Sequence, residues 1–197
     1  MRTGPGSQTM SNTDLTRLLR EMRLEAAVRL LKHSGSEVDS AAVEAMIQGY
    51  EIQASRMQTA GETGEARRLA RRAAALDGFL QHGTDPGRMV AETELPEGYV
   101  GKILMMRVAS GGFEDALILR SGDGWHREIL QNTRAEIADL GFPSAHVHPL
   151  GGAYAGFNSD GGIVIWGTSD EYGCCDKEEA ARMIARAYPG KPVRIED

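Results

Sequence analysis

His126 is the residue of this sequence best placed to do chemistry. It lies where a predicted strand and turn pass into a helix, and a helix start presents free backbone N–H groups and the positive end of the helix dipole. Such a position attracts an anion such as phosphate. Imidazole exchanges protons near neutral pH, so a histidine there can act as a base, an acid or a nucleophile. Taken alone, the same position also suits a surface or packing histidine.

Two further histidines and two cysteines form a second candidate set. His146 and His148 are two residues apart in a predicted strand and therefore face the same side, where they could bind a metal ion with Cys174 or Cys175. No Cys-x-x-Cys or comparable ligand spacing supports such a site, so we expect no metal. The cysteines are adjacent, which rules out an ordinary cross-chain disulfide and predicts free thiols.

Strands alternate with two helices in the second half of the chain. Helices are predicted at His126–Leu140 and, after a capping-box start, at Lys177–Tyr188. Apolar runs predict strands at Lys102–Val108, Glu114–Arg120, Ala145–Leu150, Ile163–Gly167 and Val193–Glu196. The glycines from Gly151 to Gly162 match neither a P-loop nor a dinucleotide-binding fingerprint and predict a turn. This order indicates an α/β (α+β) domain, a mixed sheet covered by two helices.

Helical periodicity dominates the first half. Apolar residues recur at intervals of three and four across residues 12–82, which predicts an all-α domain of three helices. The first runs from Thr13 to about Gly35, the second from Asp39 or Ser40 to Gly61, and the third from Thr63 to Gly83. The third helix carries an arginine run opposite its apolar stripe. That run, which is typical of a solvated face and could otherwise meet an acidic partner, comprises Arg67, Arg68, Arg71 and Arg72.

The chain is expected to divide between these halves. Residues 83–98 contain prolines and glycines without periodicity, which is typical of a linker, so the second domain is predicted to span residues 99–197. Residues 1–11 mix Gly, Ser, Thr and Pro and predict a disordered leader or an expression remnant.

Charge and hydropathy exclude two classes of partner. A net charge of -6 argues against a binder of duplex nucleic acid, since such proteins carry a basic face for the phosphates. No apolar run approaches the ~20 residues of a membrane helix, so no membrane partner is expected. We expect the protein to be cytoplasmic, a reducing compartment that also suits its free thiols.

Five short segments of the second half follow one another at nearly fixed spacing. They are Lys102-Ile-Leu-Met-Met-Arg-Val, Trp125-His126-Arg-Glu-Ile, Leu150-Gly-Gly, Ile163-Val-Ile-Trp-Gly-Thr-Ser169-Asp-Glu-Tyr-Gly173 and Ala187-Tyr-Pro189. In this order they resemble the phosphohistidine phosphatase (janus/ocnus) family. The resemblance covers about a hundred residues, from roughly Val100 to the end, and leaves the N-terminal helices without a counterpart.

The resemblance implies roles for particular residues. His126 would attack phosphorus or activate water, and Lys102 would supply a cation to the phosphoryl oxygens. The backbone amides of Arg127 and of the Asp170–Glu171 stretch after Ser169 would form an oxyanion pocket. Amides suit a developing negative charge because they are fixed before the reaction begins. The family's chemistry implies no metal and no other cofactor.

Three positions depart from the family's pattern. Ala153 and Tyr154 stand where the family usually has an arginine, which removes a guanidinium fork suited to phosphate. Arg120 can replace a second family arginine only if the loop before His126 is about two residues shorter in this chain. Glu171 brings a carboxylate near the anion site, where it would repel phosphate unless its side chain points outward.

The sequence therefore predicts a metal-independent phosphatase that acts on phosphohistidine or phospholysine in a phosphorylated protein. The helical domain would dock or orient that protein. The alternative is a non-catalytic module that retains the fold and binds a phosphorylated or acidic protein segment. Retention of His126 and Lys102 favours the enzyme, whereas the missing arginine favours the module.

Overall fold

The structure, a computed structural model, describes residues 12–34 and 37–196. These residues form two compact units, the first containing residues up to Val90 together with Leu140–Phe142 and the second containing Ala91–Asp139 and the residues from Pro143. The predicted class is confirmed: an all-helical first unit precedes a mixed sheet with helices. The leader predicted at residues 1–11 lies outside the described residues.

The described part of the first unit contains four α-helices: α1 (Asn12–Arg20), α2 (Leu24–Ser34), α3 (Ser40–Thr59) and α4 (Thr63–His82). The first of the three predicted helices is therefore divided in two. Met22, at φ 51° with its side chain buried, makes a turn that no α-helix accommodates. Periodicity did not reveal this break, because apolar residues continue at helical spacing on both sides of it. The predicted end near Gly35 lies outside the described residues.

Helix α3 buries few of its side chains. Asp39 caps it by accepting a hydrogen bond from the Ala42 amide at 3.0 Å. Within α3, all of which is described, Val43 is the single buried residue, whereas α4 buries residues along its whole length. Ile52 is 53% exposed. Even so, no helix of the described ranges combines the length and apolarity needed to cross a membrane.

The segment predicted as a linker contains short regular elements. Pro86–Arg88 is a single turn of 3-10 helix, and Thr93–Glu94 forms a short strand, β1. The boundary between the units falls after Val90, inside the predicted 83–98 segment. Leu95 is buried in the core of the second unit. That the two units can be separated into independently folded fragments stays a prediction.

The second unit is built on a sheet of six strands in the order β1-β3-β2-β4-β5-β6. The remaining elements are β2 (Val100–Ser110), β3 (Phe113–Gly122), α5 (His126–Asp139), β4 (His146–Phe157), β5 (Ile163–Trp166), α6 (Lys177–Ala187) and β6 (Val193–Ile195). The central pairs are antiparallel, and β1 and β6 join the two edges in parallel. The predicted strands and helices of this half are therefore present, and β1 is additional.

The two helices cover opposite faces of the sheet. On one face, Met183 and Ile184 of α6 pack with Ile103, Ala153 and Ile165 in one apolar core. On the other face, Gly122 leaves room for Ile129 of α5, since a Cβ at Gly122 would lie 2.9 Å from Ile129 Cγ1. Lys102 is paired with Gly122 across the β2–β3 ladder, so its side chain emerges on the α5 face.

The turn predicted for Gly151–Gly162 is wrong over its first half, because β4 continues through Phe157. The turn itself is shorter and closes with a 2.8 Å hydrogen bond from the Asn158 amide to Gly162 O. A β-bulge explains the misleading glycines: Met105 pairs with Gly151 and Met106 with Pro149, which leaves Leu150 as an extra residue. Gly151 has φ 140°, and a Cβ there would lie 2.5 Å from Cys174 O. These glycines therefore serve close approach of the backbone within a strand.

Candidate active site

His126 is the first residue of α5, and the local sequence fixes the helix start there. The Glu128 carboxylate accepts a hydrogen bond from the Trp125 amide at 3.1 Å, and the Glu128 amide donates to Trp125 O at 2.8 Å. The first of these contacts is the glutamate half of a capping box, which satisfies the Trp125 N–H; Trp125 has no side-chain oxygen to supply the other half. The predicted position of His126 at a helix N-terminus is confirmed.

The His126 ring is buried against β4. Its Nε2 lies 3.3 Å from Ala153 O. A carbonyl oxygen only accepts, so this contact requires the proton on Nε2 and leaves the lone pair on Nδ1. The ring lies directly over Gly152, where a Cβ would be 2.6 Å from Nε2 and 2.9 Å from Ser169 Cβ. Gly152 thus lets the side chains of His126 and Ser169 approach the same point of the strand.

Lys102 reaches this region from β2 between aromatic rings. Its Nζ lies 5.3 Å from the centre of the Trp125 ring and 6.0 Å from that of Tyr154. Tyr154 is stacked on Trp166 at 5.9 Å and meets His126 edge-on at 6.2 Å. Cation–π contacts hold an ammonium without neutralising it. Because Lys102 forms no ion pair with any described residue, its charge stays available to an anion.

Glu171, in the loop after β5, directs its side chain toward the first turn of α5. Its Oε2 accepts a hydrogen bond from the Arg127 amide at 2.9 Å, and its Oε1 lies 3.6 Å from Arg127 Nη1. The side chain therefore does not point away from the predicted anion site. The Arg127 amide, expected to serve phosphate, already serves a carboxylate of the same chain.

Ser169 organises the loop that carries Glu171. Its hydroxyl oxygen accepts hydrogen bonds from the amides of Glu171 at 3.3 Å and Tyr172 at 3.2 Å. Its own amide donates to Gly152 O at 3.1 Å, which ties the loop to β4 beside His126. Of the two amides expected after Ser169, that of Glu171 is occupied, whereas that of Asp170 donates to no described residue.

Arg120 is engaged elsewhere. Its side chain is 3% exposed, and the guanidinium forms a fork with Glu136 of α5, with Nε–Oε2 at 3.1 Å and Nη2–Oε1 at 2.8 Å. A third bond, at 3.0 Å, goes from Nη1 to Leu119 O. Binding a dissolved phosphate would break this buried ion pair, which is costly. The structure gives Arg120 a structural task in joining β3 to α5.

The metal alternative finds no geometric support. The rings of His146 and His148 lie 6.2 Å apart on the predicted common side of β4. In residues 12–34 and 37–196, no three His, Cys, Asp or Glu side chains are grouped to hold one metal ion. Cys174 is an exposed free thiol. Burial, with a smaller contribution from Cys174, raises the pKa of the Cys175 thiol to about 11.

Tyr154 and Trp166 were missed as parts of this site. The sequence marked Tyr154 only as the absence of an arginine, and Trp166 only as an apolar residue of a strand. Strand pairing brings them together, since Tyr154 is opposite Lys102 on one side and Trp166 on the other. Strand alternation alone could not place Tyr154 on the same face as Lys102, because the unpaired residue at Leu150 changes which positions of β4 face that side.

Comparison with known proteins identifies a family match over most of the second unit. Residues 89–192 match the model of the Janus/Ocnus family (Ocnus). This span contains His126, Lys102 and the Ser169 loop, and it begins just before β1. No curated protein matches the chain.

Proposed function

Since the chain belongs to the Janus/Ocnus family, we propose that it is a metal-independent phosphatase that hydrolyses N-linked phosphate, phosphohistidine or phospholysine, in proteins. One observation carries this proposal. His126 is held at the start of α5 with the Nδ1 lone pair unused by its contact with Ala153 O, and Lys102, which shares the Tyr154 ring with it, forms no ion pair with any described residue. A base or nucleophile and a cation are the two groups that phosphoryl transfer needs most.

In the proposed reaction the phosphoryl group lies between His126, Lys102 and backbone amides. The P–N bond breaks, and the phosphoryl group passes either to the His126 imidazole and then to water, or directly to a water that His126 deprotonates. The leaving nitrogen of the substrate takes up a proton. Lys102 and the amides of Arg127 and Asp170 stabilise the negative charge on the phosphoryl oxygens.

The helical unit is proposed to dock the substrate protein. A cavity of about 620 Å³ opens between α3 and α4 over Ile47, Ala54 and Ala73, with the carboxylates of Glu51 and Asp77 beside it. Apolar surface flanked by negative charge suits a basic amphipathic segment. The arginine run supports an acidic partner less well, because Arg68 is paired with Glu65 of the same helix.

A non-catalytic phosphoprotein-binding module is the second candidate. Glu171 on the Arg127 amide and Tyr154 in place of the family's arginine both favour it. Each takes away a donor that would stabilise charge on the phosphoryl oxygens during hydrolysis, whereas binding of a phosphoprotein can rely on further protein contacts. The module would retain His126 as a ligand for phosphate rather than as a reactant.

Phosphate release from a phosphohistidine peptide, measured with a chelator present, tests the enzyme proposal. We expect release by the natural protein and none by His126→Ala, because neither a lysine ammonium nor a backbone amide can attack phosphorus or accept a proton. Lys102→Ala is expected to lower the rate about 10²–10³-fold, as for the loss of one oxyanion donor.

The matched control is His146→Ala, which removes an exposed histidine of β4 and should leave the rate unchanged. Thermal unfolding of each variant checks that the fold is kept. If the natural protein binds the phosphopeptide without hydrolysing it, the non-catalytic module is the correct function. Activity that survives His126→Ala would mean that another residue starts the reaction.

A further inference from the structure

Glu171 occupies the donors that an incoming anion would use. A single residue, Arg127, offers its backbone N–H at 2.9 Å and its guanidinium at 3.6 Å to the two oxygens of one carboxylate. The N–H belongs to the first turn of α5, where the helix dipole favours negative charge. The carboxylate thus makes the contacts expected of one edge of a phosphoryl group.

The loop that carries Glu171 is fixed independently of this contact. Ser169 accepts two amide hydrogen bonds from the loop, the Gly173 amide donates to Ser169 O at 2.9 Å, and Ser169 is bonded to Gly152. The Glu171 side chain is 27% exposed and that of Arg127 59% exposed, so both reach solvent. The carboxylate can therefore rotate away from Arg127 while the loop and α5 keep their places.

We propose that Glu171 is a specificity-determining residue, a tethered carboxylate that a phosphoryl group must displace from Arg127 in order to bind. The proposal rests on the proposed function for the identity of the site. Because the competitor is part of the chain, a ligand wins only through contacts that Glu171 does not make, above all with Lys102. Inorganic phosphate then binds weakly, whereas a substrate held by further protein contacts gains entry.

Titration of the protein with inorganic phosphate tests the proposal, with the amide resonances of Arg127 and Asp170 as the readout. We expect Glu171→Ala to bind phosphate about tenfold more tightly than the natural protein, the scale of one charge-assisted hydrogen bond. Glu171→Gln keeps the size and an acceptor oxygen but loses the charge, so its affinity should lie between the two. Its thermal unfolding confirms that the loop is retained.

The control for net charge is Glu178→Ala. This variant also removes one negative charge, but from an α6 position whose side chain is 81% exposed. Its phosphate affinity should stay within about twofold of the natural value, since screening weakens distant surface charges. An equal gain in Glu178→Ala, or no gain in Glu171→Ala and Glu171→Gln, would overturn the proposal.

The same variants separate this proposal from the phosphatase function. Tighter phosphate binding by Glu171→Ala with no hydrolysis by any variant would keep the tethered competitor and reject the enzyme. Hydrolysis by the natural protein with unchanged phosphate affinity in Glu171→Ala would keep the enzyme and reject the competitor.

Discussion

Tyr154 stands where the family usually has an arginine, and its contacts show a different use of the position. Its ring meets His126 edge-on, lies beneath the Lys102 ammonium and stacks on Trp166. A guanidinium there would contact phosphate directly. The tyrosine instead acts through its neighbours, because it holds the imidazole and the ammonium in one arrangement. The positive charge of this site therefore depends on Lys102 to a greater degree than the family's pattern implies.

The two cysteines are adjacent but should differ sharply in reactivity. The thiolate is the reactive form, and with its pKa raised to about 11 the buried Cys175 thiol stays almost wholly protonated at pH 8. We expect one rapid modification by a thiol reagent at pH 8, at the exposed Cys174. Mass spectrometry of the labelled protein gives the number and the position.

Cys174→Ser is the matched variant, and it should label slowly at pH 8. Its rate should rise as the pH approaches 11, where Cys175 begins to ionise, provided that the fold persists. Rapid labelling of Cys175 in the folded variant at pH 8 would show that the thiol is accessible and ionised, contrary to this expectation.

At the scale of elements, the Arg120–Glu136 pair joins α5 to the sheet. Removal of one partner leaves a buried charge, so Arg120→Ala should lower the free energy of unfolding by about 3–5 kcal/mol. The double variant Arg120→Met, Glu136→Met replaces both charges with apolar groups and should recover most of that loss. Urea unfolding of the natural protein and both variants provides the measurement.

The double variant also tests what Arg120 does in the site. If the guanidinium serves only α5, phosphate affinity should be unchanged once the fold is restored. Exposed Arg182→Ala, which breaks surface pairs on α6, is the control and should leave the stability nearly unchanged, since exposed ion pairs contribute little. A restored fold with much weaker phosphate binding would return Arg120 to the phosphate-binding residues.

Elements with clear periodicity could be predicted, and those shaped by tertiary contacts could not. The start of α5 at His126 followed from local sequence, since Trp125 to Glu128 carry their own cap. Met22 gave no local sign of its turn, because its burial depends on the helices around it. The length of β4 was missed because glycines that usually mark turns here make room for His126 and for Cys174.

The site shows the same division. The positions of His126 and Lys102 along the chain were enough to identify them as candidate site residues. The direction of the Glu171 side chain was not predictable, since it depends on which donors the loop after β5 brings within reach. The Glu136 partner of Arg120 lies sixteen residues along the chain and on another element, so no local pattern linked them.

At the scale of the whole molecule, the second unit should fold without the first. We expect a fragment that begins at Ala91 to be folded, since it retains β1 and the buried Leu95. Because Leu140–Phe142 group with the first unit, the fragment should be less stable than the full chain. Amide spectra and thermal unfolding of the two proteins provide the comparison.

A shorter fragment from Glu97 gives the control for the boundary. It lacks β1, whose residues pair with Leu119 and Arg120, and should be less stable than the fragment from Ala91. If the longer fragment has no dispersed amide spectrum, the boundary after Val90 does not separate independently folding units.

The bulge at Leu150 sets the phase of β4. Before it, Val147 and Pro149 are paired with α5-face residues of β2, and after it Gly152 and Tyr154 are, so the alternation passes from odd to even positions at one residue. Because the bulge leaves Leu150 outside the ladder, the residues on both sides of it keep their partners in β2. Deletion of Leu150 should therefore leave Gly152 opposite Leu104 and Tyr154 opposite Lys102, on the face of His126. If Leu150 were instead paired in the ladder, Gly151 and Ala153 would take their places and Gly152 and Tyr154 would turn to the α6 face.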